Sequence, residues 1–384
     1  MRFEFTTTPR ILFGEGSLQE AGPLAYGMGR RALIVTGKSN PHVGGLVTNL
    51  RAHGIEHRRF AIQGEPEVQA VVAGLEYARG ENCDLVIGFG GGSPLDAAKA
   101  IAILLANEGD VYDYLEVIGM GRSFSQPALP LITIPTTAGS GAEVTRNAVI
   151  GSPSHRVKVS LRSLLMQPRV AIVDPELTYS LPPAITASTG MDALTQLIEP
   201  FVSNKATPLT DAVCREGMVH AARSLRPAYV NGSDVLARRD MSLASLCGGL
   251  ALANAKLGAV HGFAGVLGGI LAAPHGAICA RLLPPVMAQN LEAIQVREGE
   301  NPVLERYVEV AKILTGDPNA HADDGVAWIQ SLAEDLQIPA LSDYGLRAVD
   351  FPAVIEKSAV SSSMQGNPIT LTEDEMREIL ENAL

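Results

Sequence analysis

Two patterns of apolar positions divide the chain near residue 180. Before it, short β-branched runs alternate with helical segments: ALIVT (32–36), RFAI (59–62), DLVIGF (84–89), LITIP (131–135) and RVAIVDP (169–175). Alternation of that kind predicts a mostly parallel sheet with helices on both faces. After Pro182 and Pro183 the strand signal fades, and helical periodicity runs over 184–202, 208–229, 233–255, 301–314, 321–336 and 372–384. The last of these opens with Thr372 and Glu375 at capping-box spacing. The pattern therefore predicts an α/β domain over 1–181 and an all-α domain over 182–384, with a cleft between them. No internal repeat and no low-complexity tail interrupts this division.

Within the first half, DLVIGFGGGSPLDAAKA (84–100) reads as a strand, a tight turn and a helix start. Ser93 is placed to cap the helix, Pro94 suits its first turn, and Asp96 follows Ser93 in capping-box register. Glycines at 90–92 let backbone approach a ligand closely, and free N–H groups at a helix start attract an anion such as a pyrophosphate. The run is not a clean G-x-G-x-x-G, and a tight strand-to-helix turn that binds nothing has the same composition.

In the second half, Asp192 and Gln196 are four apart and share a helical face. His261 and His275 flank a Gly/Ala-rich stretch that ends in Pro-His-Gly. A carboxylate, two imidazoles and an amide oxygen suit one divalent ion, although the donors fall in three separate segments. Each also has a plainer role: Asp192 as a cap after Gly190, Gln196 as a solvent-facing residue, and the histidines as hydrogen-bonded core.

Composition sets limits on both readings. At 384 residues, with 46% hydrophobic and 18% charged positions, the chain has core material for two globular domains. A net charge of −11, without a basic cluster interleaved with aromatics, argues against nucleic acid or an anionic membrane as partner. Cys83, Cys214, Cys247 and Cys279 show no C-x-x-C spacing and sit in apolar company, as buried thiols in a reducing cytoplasm do. MRFEFTTTPR contains no apolar core segment, so secretion is not expected. Gly248–Pro274 is apolar, yet its small residues and broken runs fit a buried helix pair better than a membrane span.

Five ordered motifs carry a resemblance. GGGSPLDAAKA, IPTTAGSGAEVT (134–145), DPELT (174–178), TGMDALTQLIEPFVS (189–203) and HGFAGVLGGILAAPHG (261–276) resemble the iron-containing, or group III, alcohol dehydrogenases over essentially the whole chain. The resemblance implies a dinucleotide-binding α/β domain followed by a helical metal-binding domain. It also implies metal-assisted hydride transfer between NAD(P)(H) and a small alcohol or aldehyde, in a cytoplasmic homodimer. Cofactor contacts fall on Gly91, Gly92 and Ser93 for the pyrophosphate, with Asp96 organising that turn. Thr136, Thr137 and Ser140 match the second phosphate and ribose loop, and Val149 and Lys158 match positions near the nicotinamide ribose. After ALIVT the chain carries Gly37, Lys38 and Ser39, where many NAD-preferring relatives have an aspartate at the first position. Without that carboxylate the loop favours NADP over NAD.

Metal ligands fall on Asp192, His261 and His275, and the two histidines are the expected catalytic residues. Two positions depart from the family pattern. Gln196 stands where the fourth ligand is usually histidine, and Gly265 where many members carry a further histidine that relays the alcohol proton. A retained Fe²⁺, with Zn²⁺ or no metal as alternatives, is the expectation, and Gln196 completes the shell directly or through water. The rival readings are a metal-independent enzyme resembling maleylacetate reductases and a decayed nucleotide-binding protein. A lyase resembling dehydroquinate synthase is disfavoured, since the segments around His261 and His275 lack basic residues for a substrate phosphate.

Overall fold

The computed structural model describes residues 2–155 and 157–384. It contains two compact units: Thr6–Tyr179, and Ser180–Leu384 together with the N-terminal residues up to Phe5.

The first unit is built on strands β1 (Arg10–Phe13), β2 (Arg31–Gly37), β3 (Glu56–Ile62), β4 (Leu85–Gly90), β5 (Leu131–Pro135) and β8 (Val170–Val173). All six pair in parallel, in the order β1-β8-β5-β4-β2-β3. Helices α1 (Ala21–Tyr26), α2 (Val43–Ala52), α3 (Val68–Gly80), α4 (Gly92–Ala106) and the short α5 (Val111–Tyr114) complete it, with a separate antiparallel pair, β6 (Asn147–Ser152) and β7 (Val157–Arg162). Side chains alternate across a strand, so β2 sends Ala32 and Ile34 into one apolar cluster and Leu33 and Val35 into another. The first cluster is closed by Leu46 and Leu50 of α2, the second by Val71 and Leu75 of α3 and Ile101 of α4. Burial on both faces explains why the central strands read as continuous apolar runs. Full burial of one such residue as large as Phe89 contributes about 1.5–3 kcal/mol.

Connectivity fixes where a ligand can approach this sheet. From β2 the chain moves outward to β3, then returns across β2 to β4. The ends of β2 and β4 therefore lie side by side at a reversal of strand order, in register Thr36 to Phe89. Asn40 ties the two ends together, donating to Thr36 Oγ1 at 3.1 Å and to the Phe89 carbonyl at 3.2 Å. Open α/β sheets bind ligands outside the carboxyl ends of their strands at such a point.

The second unit is helical: α6 (Pro183–Val202), α7 (Pro208–Val230), α8 (Val235–Asn254), α9 (Ala259–Leu267), α10 (His275–Arg297), α11 (Val303–Thr315), α12 (Ala322–Asp335), α13 (Phe351–Ala359) and α14 (Glu373–Ala383). Six of these meet the expected bounds to within two residues, and Thr372 with Glu375 forms the expected capping box. The apolar Gly248–Pro274 stretch becomes the end of α8, a break, α9 and a following loop. Among the described residues no single helix is long and apolar enough to cross a membrane, and α8 and α9 meet at 96°.

Candidate cofactor-binding turn and metal centre

The glycine turn differs in one respect from its sequence reading. Helix α4 starts at Gly92, with Gly91 at the cap position in an extended conformation (φ −73°, ψ −168°) and no side chain capping it. Ser93 therefore lies inside the first turn and is not the cap, because the strand ends at Gly90 and the helix already begins at Gly92. Asp96 makes no capping box either; its Oδ2 accepts from the Val149 N–H at 3.0 Å and its Oδ1 pairs with Lys99 Nζ at 2.8 Å. A helix start without a side-chain cap leaves its first N–H groups available to an anion.

The loop after β5 closes over this turn. Thr136 N–H donates to the Gly90 carbonyl at 2.9 Å. A Cβ added at Gly91 would stand 3.3 Å from Thr137 Oγ1, and one at Gly92 would stand 3.0 Å from Ser140 Oγ. Gly91, Gly92, Thr136, Thr137 and Ser140 are thus brought together, with Ser93 next in the chain. Gly37 ends β2 and is followed by exposed Lys38 and Ser39. Val149 is attached through Asp96, whereas Lys158, opposite Gly151 on β7, pairs its ammonium with Glu65 at 2.5 Å. Beneath the loop sit two residues the sequence reading missed. Fully buried Lys99 donates to the Ala142 carbonyl at 3.0 Å and Thr145 Oγ1 at 2.8 Å. Buried Glu143 has its carboxyl pushed up to about 7 by desolvation, against the pull of its own N–H and of Lys99. For Lys99 the signal was its i,i+3 spacing from Asp96; Glu143 offered none.

In the helical unit, Asp192, Gln196 and Glu199 recur at helical spacing along the buried length of α6. The structure excludes Asp192 as a cap and Gln196 as a solvent-facing residue, for both are mid-helix and buried. His261 comes from α9 and His275 is the first residue of α10. Gly276 makes their approach possible: a Cβ there would stand 1.9 Å from the Ser188 carbonyl oxygen of α6. Asp192 Oδ1 lies 3.4 Å from His261 Nε2 and 3.9 Å from His275 Nε2. His261 Nδ1 meets Glu199 Oε2 at 2.6 Å, and Glu199 Oε1 accepts from the Val260 N–H at 2.7 Å. That carboxylate fixes the ring and leaves Nε2 facing Asp192.

Cys279 joins this group, which the sequence reading of a plain buried thiol did not anticipate. Its Sγ lies 3.7 Å from His275 Nε2 and 4.0 Å from His261 Nε2. One donor atom from each of Asp192, His261, His275 and Cys279 falls within 4.8 Å of the others. The ionisation tendencies agree with a charged cluster. Burial works against ionising Asp192, Cys279 and His261. The imidazoles nevertheless hold the Asp192 carboxyl and the Cys279 thiol below their ordinary values. Cys279 and Asp192, joined at His261 by Glu199, hold both histidines above theirs. Desolvation instead pushes Cys247 up to about 12 and raises Cys83 and Cys214.

Two buried atoms here have no hydrogen-bond partner, Asp192 Oδ1 and Gln196 Oε1. A buried carboxylate oxygen without a donor is costly unless a cation compensates it, so the residues fit a divalent ion. Gln196 Oε1 lies 3.4 Å from where a Cβ at Gly248 of α8 would stand. Gly265, one turn beyond His261, is exposed, and an added Cβ there meets nothing within 4 Å.

Comparison with known proteins follows the same two halves. Residues 8–175 match the family described as iron-containing alcohol dehydrogenase, and residues 186–384 match its C-terminal region. The chain is 35% identical to 1,3-propanediol dehydrogenase of Citrobacter freundii over 99% of this chain and 98% of that one. It is 33% identical to NAD-dependent methanol dehydrogenase of Bacillus methanolicus over 99% of each. A crystal structure of 1,3-propanediol oxidoreductase superimposes with a TM-score of 0.93 at 34% identity, covering 100% of both chains.

Proposed function

The chain belongs to the iron-containing alcohol dehydrogenase family of oxidoreductases, and from that premise we propose that it transfers hydride between a nicotinamide dinucleotide and a small alcohol or aldehyde with one divalent cation. The observation that carries this reading is the donor set of buried Asp192 and His261 with part-exposed His275, in which Asp192 Oδ1 has no hydrogen-bond partner among the described residues. A divalent cation held by these residues supplies Lewis acidity, stabilising the alkoxide charge that develops as hydride leaves the carbinol carbon.

The protein's own groups divide the remaining work. Gly91, Gly92 and Ser93 are assigned to the pyrophosphate, and Thr136, Thr137 and Ser140 to the adjoining phosphate and ribose. Val149, Asp96 and Lys158 are assigned to the nicotinamide end, although the ion pair of Lys158 with Glu65 must open or be shared for that ammonium to reach an anion. Glu199 holds His261 in one tautomer. Gly265 offers no side chain for the alcohol proton, whose exit falls to water, the cofactor ribose hydroxyls or another side chain. NADP(H) is the favoured dinucleotide, since Gly37, Lys38 and Ser39 present no carboxylate to repel a 2′-phosphate.

A panel of short alcohols and aldehydes, 1,3-propanediol and methanol included, tests the proposal by nicotinamide absorbance. Turnover should disappear in excess chelator and return with added metal. His275→Ala should lose both bound metal and turnover. Full activity in excess chelator would remove the cation from the mechanism, leaving His261 and His275 to polarise the substrate as hydrogen-bond donors.

A further inference from the structure

Cys279 follows His275 by one helical turn on α10 and is fully buried. A cysteine that merely fills a core needs only apolar neighbours, yet this Sγ faces two imidazole nitrogens, at 3.7 Å and 4.0 Å. Donors bonded to one tetrahedral ion at about 2.0–2.3 Å stand roughly 3.3–3.8 Å from one another. Of the six edges of the cluster, two (3.4 and 3.7 Å) fall inside that range, two (3.9 and 4.0 Å) lie just beyond it, and the remaining two are within 4.8 Å, so an inward movement of the side chains closes the set around one ion. Gln196, on the turn of α6 after Asp192, has its amide oxygen against Gly248 of α8.

We propose that the Cys279 thiolate is the fourth protein ligand of the cation held by Asp192, His261 and His275, and that this donor set selects Zn²⁺ over Fe²⁺. The proposal rests on the metal-assisted reading above and names the ligand that replaces the missing imidazole. Thiolate is a soft donor that Zn²⁺ accepts readily, whereas an amide oxygen adds little for a borderline ion. Any proton that the thiol or the imidazoles carry is released to solvent as the ion enters. With four donors from the chain, a substrate oxygen would have to enter as a fifth, a coordination number that Zn²⁺ can reach.

Co²⁺ loaded into chelator-stripped enzyme tests the assignment without any turnover. The wild type should show a near-ultraviolet thiolate-to-cobalt charge-transfer band. Cys279→Ser should abolish the band while the weaker visible absorption of bound cobalt persists, and should cut the Zn²⁺-over-Fe²⁺ preference in anaerobic competition by at least about tenfold. Circular dichroism checks that the variant is folded; should it not be, the wild-type band alone still decides. Cobalt bound by the wild type without that band overturns the Cys279 assignment and leaves the metal-assisted reading standing. A wild type that binds neither Co²⁺ nor Zn²⁺ overturns both.

Discussion

Replacing Glu143 with glutamine isolates the cost of a buried acid beneath the proposed phosphate loop. Glu143 is 2% exposed, in the short turn Ala142–Val144 that follows Ser140. Desolvation raises its carboxyl from 4.5 to about 7; Lys99 pulls the other way but is itself held by Asp96, the Ala142 carbonyl and Thr145. The unfolded chain gives up this proton near pH 4.5, while the folded chain keeps it to about 7. Within that window the native state binds more protons than the unfolded one, so stability falls as pH rises and levels off above it. At about 1.4 kcal/mol per pH unit, the fall between pH 5 and 8 is about 2–3 kcal/mol. Glutamine keeps the size and hydrogen-bonding capacity of the acid but never ionises. The stability of Glu143→Gln relative to the parent should therefore rise by about 2–3 kcal/mol from pH 5 to pH 8. Urea unfolding of both proteins reads this, because subtraction cancels every other titrating group. Far-ultraviolet dichroism follows both units, whereas the fluorescence of Trp328, the chain's single tryptophan, on α12, follows the helical one, so the transition of the first unit can be identified. A difference that stays flat across the range would show that Glu143 ionises as an ordinary carboxylate and that burial does not govern it.

The cofactor assignments give two further tests. A Cβ at Gly37 meets nothing within 4 Å, so Gly37→Asp adds charge without displacing anything. A like-charge contact at roughly 5 Å costs about 1–3 kcal/mol, so NADPH affinity by nicotinamide fluorescence should drop about five- to a hundredfold with NADH little changed; unchanged NADPH binding defeats the preference for NADP(H). Gly92→Val places a branched side chain where even a Cβ lies 3.0 Å from Ser140 Oγ, and should cost at least about a hundredfold in dinucleotide affinity while the dichroism spectrum stays that of the parent. Normal binding by that variant would reduce the glycine turn to a structural device.

How far such features can be read without coordinates depended on whether a residue's role is local. β2, β4 and β5 were legible because strands covered on both faces carry continuous apolar runs. β1 went unread: Arg10–Phe13 is exposed or half-buried throughout, too short and too mixed to stand out from its neighbours. The β6–β7 pair was missed for a related reason: the apolar run of β6 is only Ala148, Val149 and Ile150, and β7 alternates apolar with polar residues. Asp192 and Gln196 were visible as an i,i+4 pair, and the same rule applied to His275 would have singled out Cys279. Composition drew that cysteine into the group of inert thiols, and only the packing of α10 against α6 at Gly276 separates it from the other three.

That separation ties Gln196, which departs from the family pattern, and Cys279 to one physical requirement at this centre. Asp192 is buried to 7% side-chain exposure and Glu199 to 5%, so two carboxylates stand within reach of the same imidazole. Glu199 is satisfied by His261 Nδ1 and the Val260 N–H, and these contacts consume the donors on its side of the ring. Asp192 Oδ1 then faces the two Nε2 atoms, with no hydrogen-bond partner among the described residues. Exchanging an imidazole for Gln196 on α6 removes a neutral donor from this shell, and Cys279 on α10 offers an anionic one. The count of protein ligands stays at four, while the negative charge they bring rises from one to two. A divalent cation would then be neutralised by its own ligands, and an alkoxide arriving as the fifth donor would find a weaker Lewis acid than the four-ligand site with three imidazoles provides. The exchange should accordingly favour retention of the ion over polarisation of the substrate: Cys279→Asn with Gln196→His, which restores three imidazoles, should bind its metal less selectively yet lower the apparent pKa of the alcohol in the pH profile of kcat.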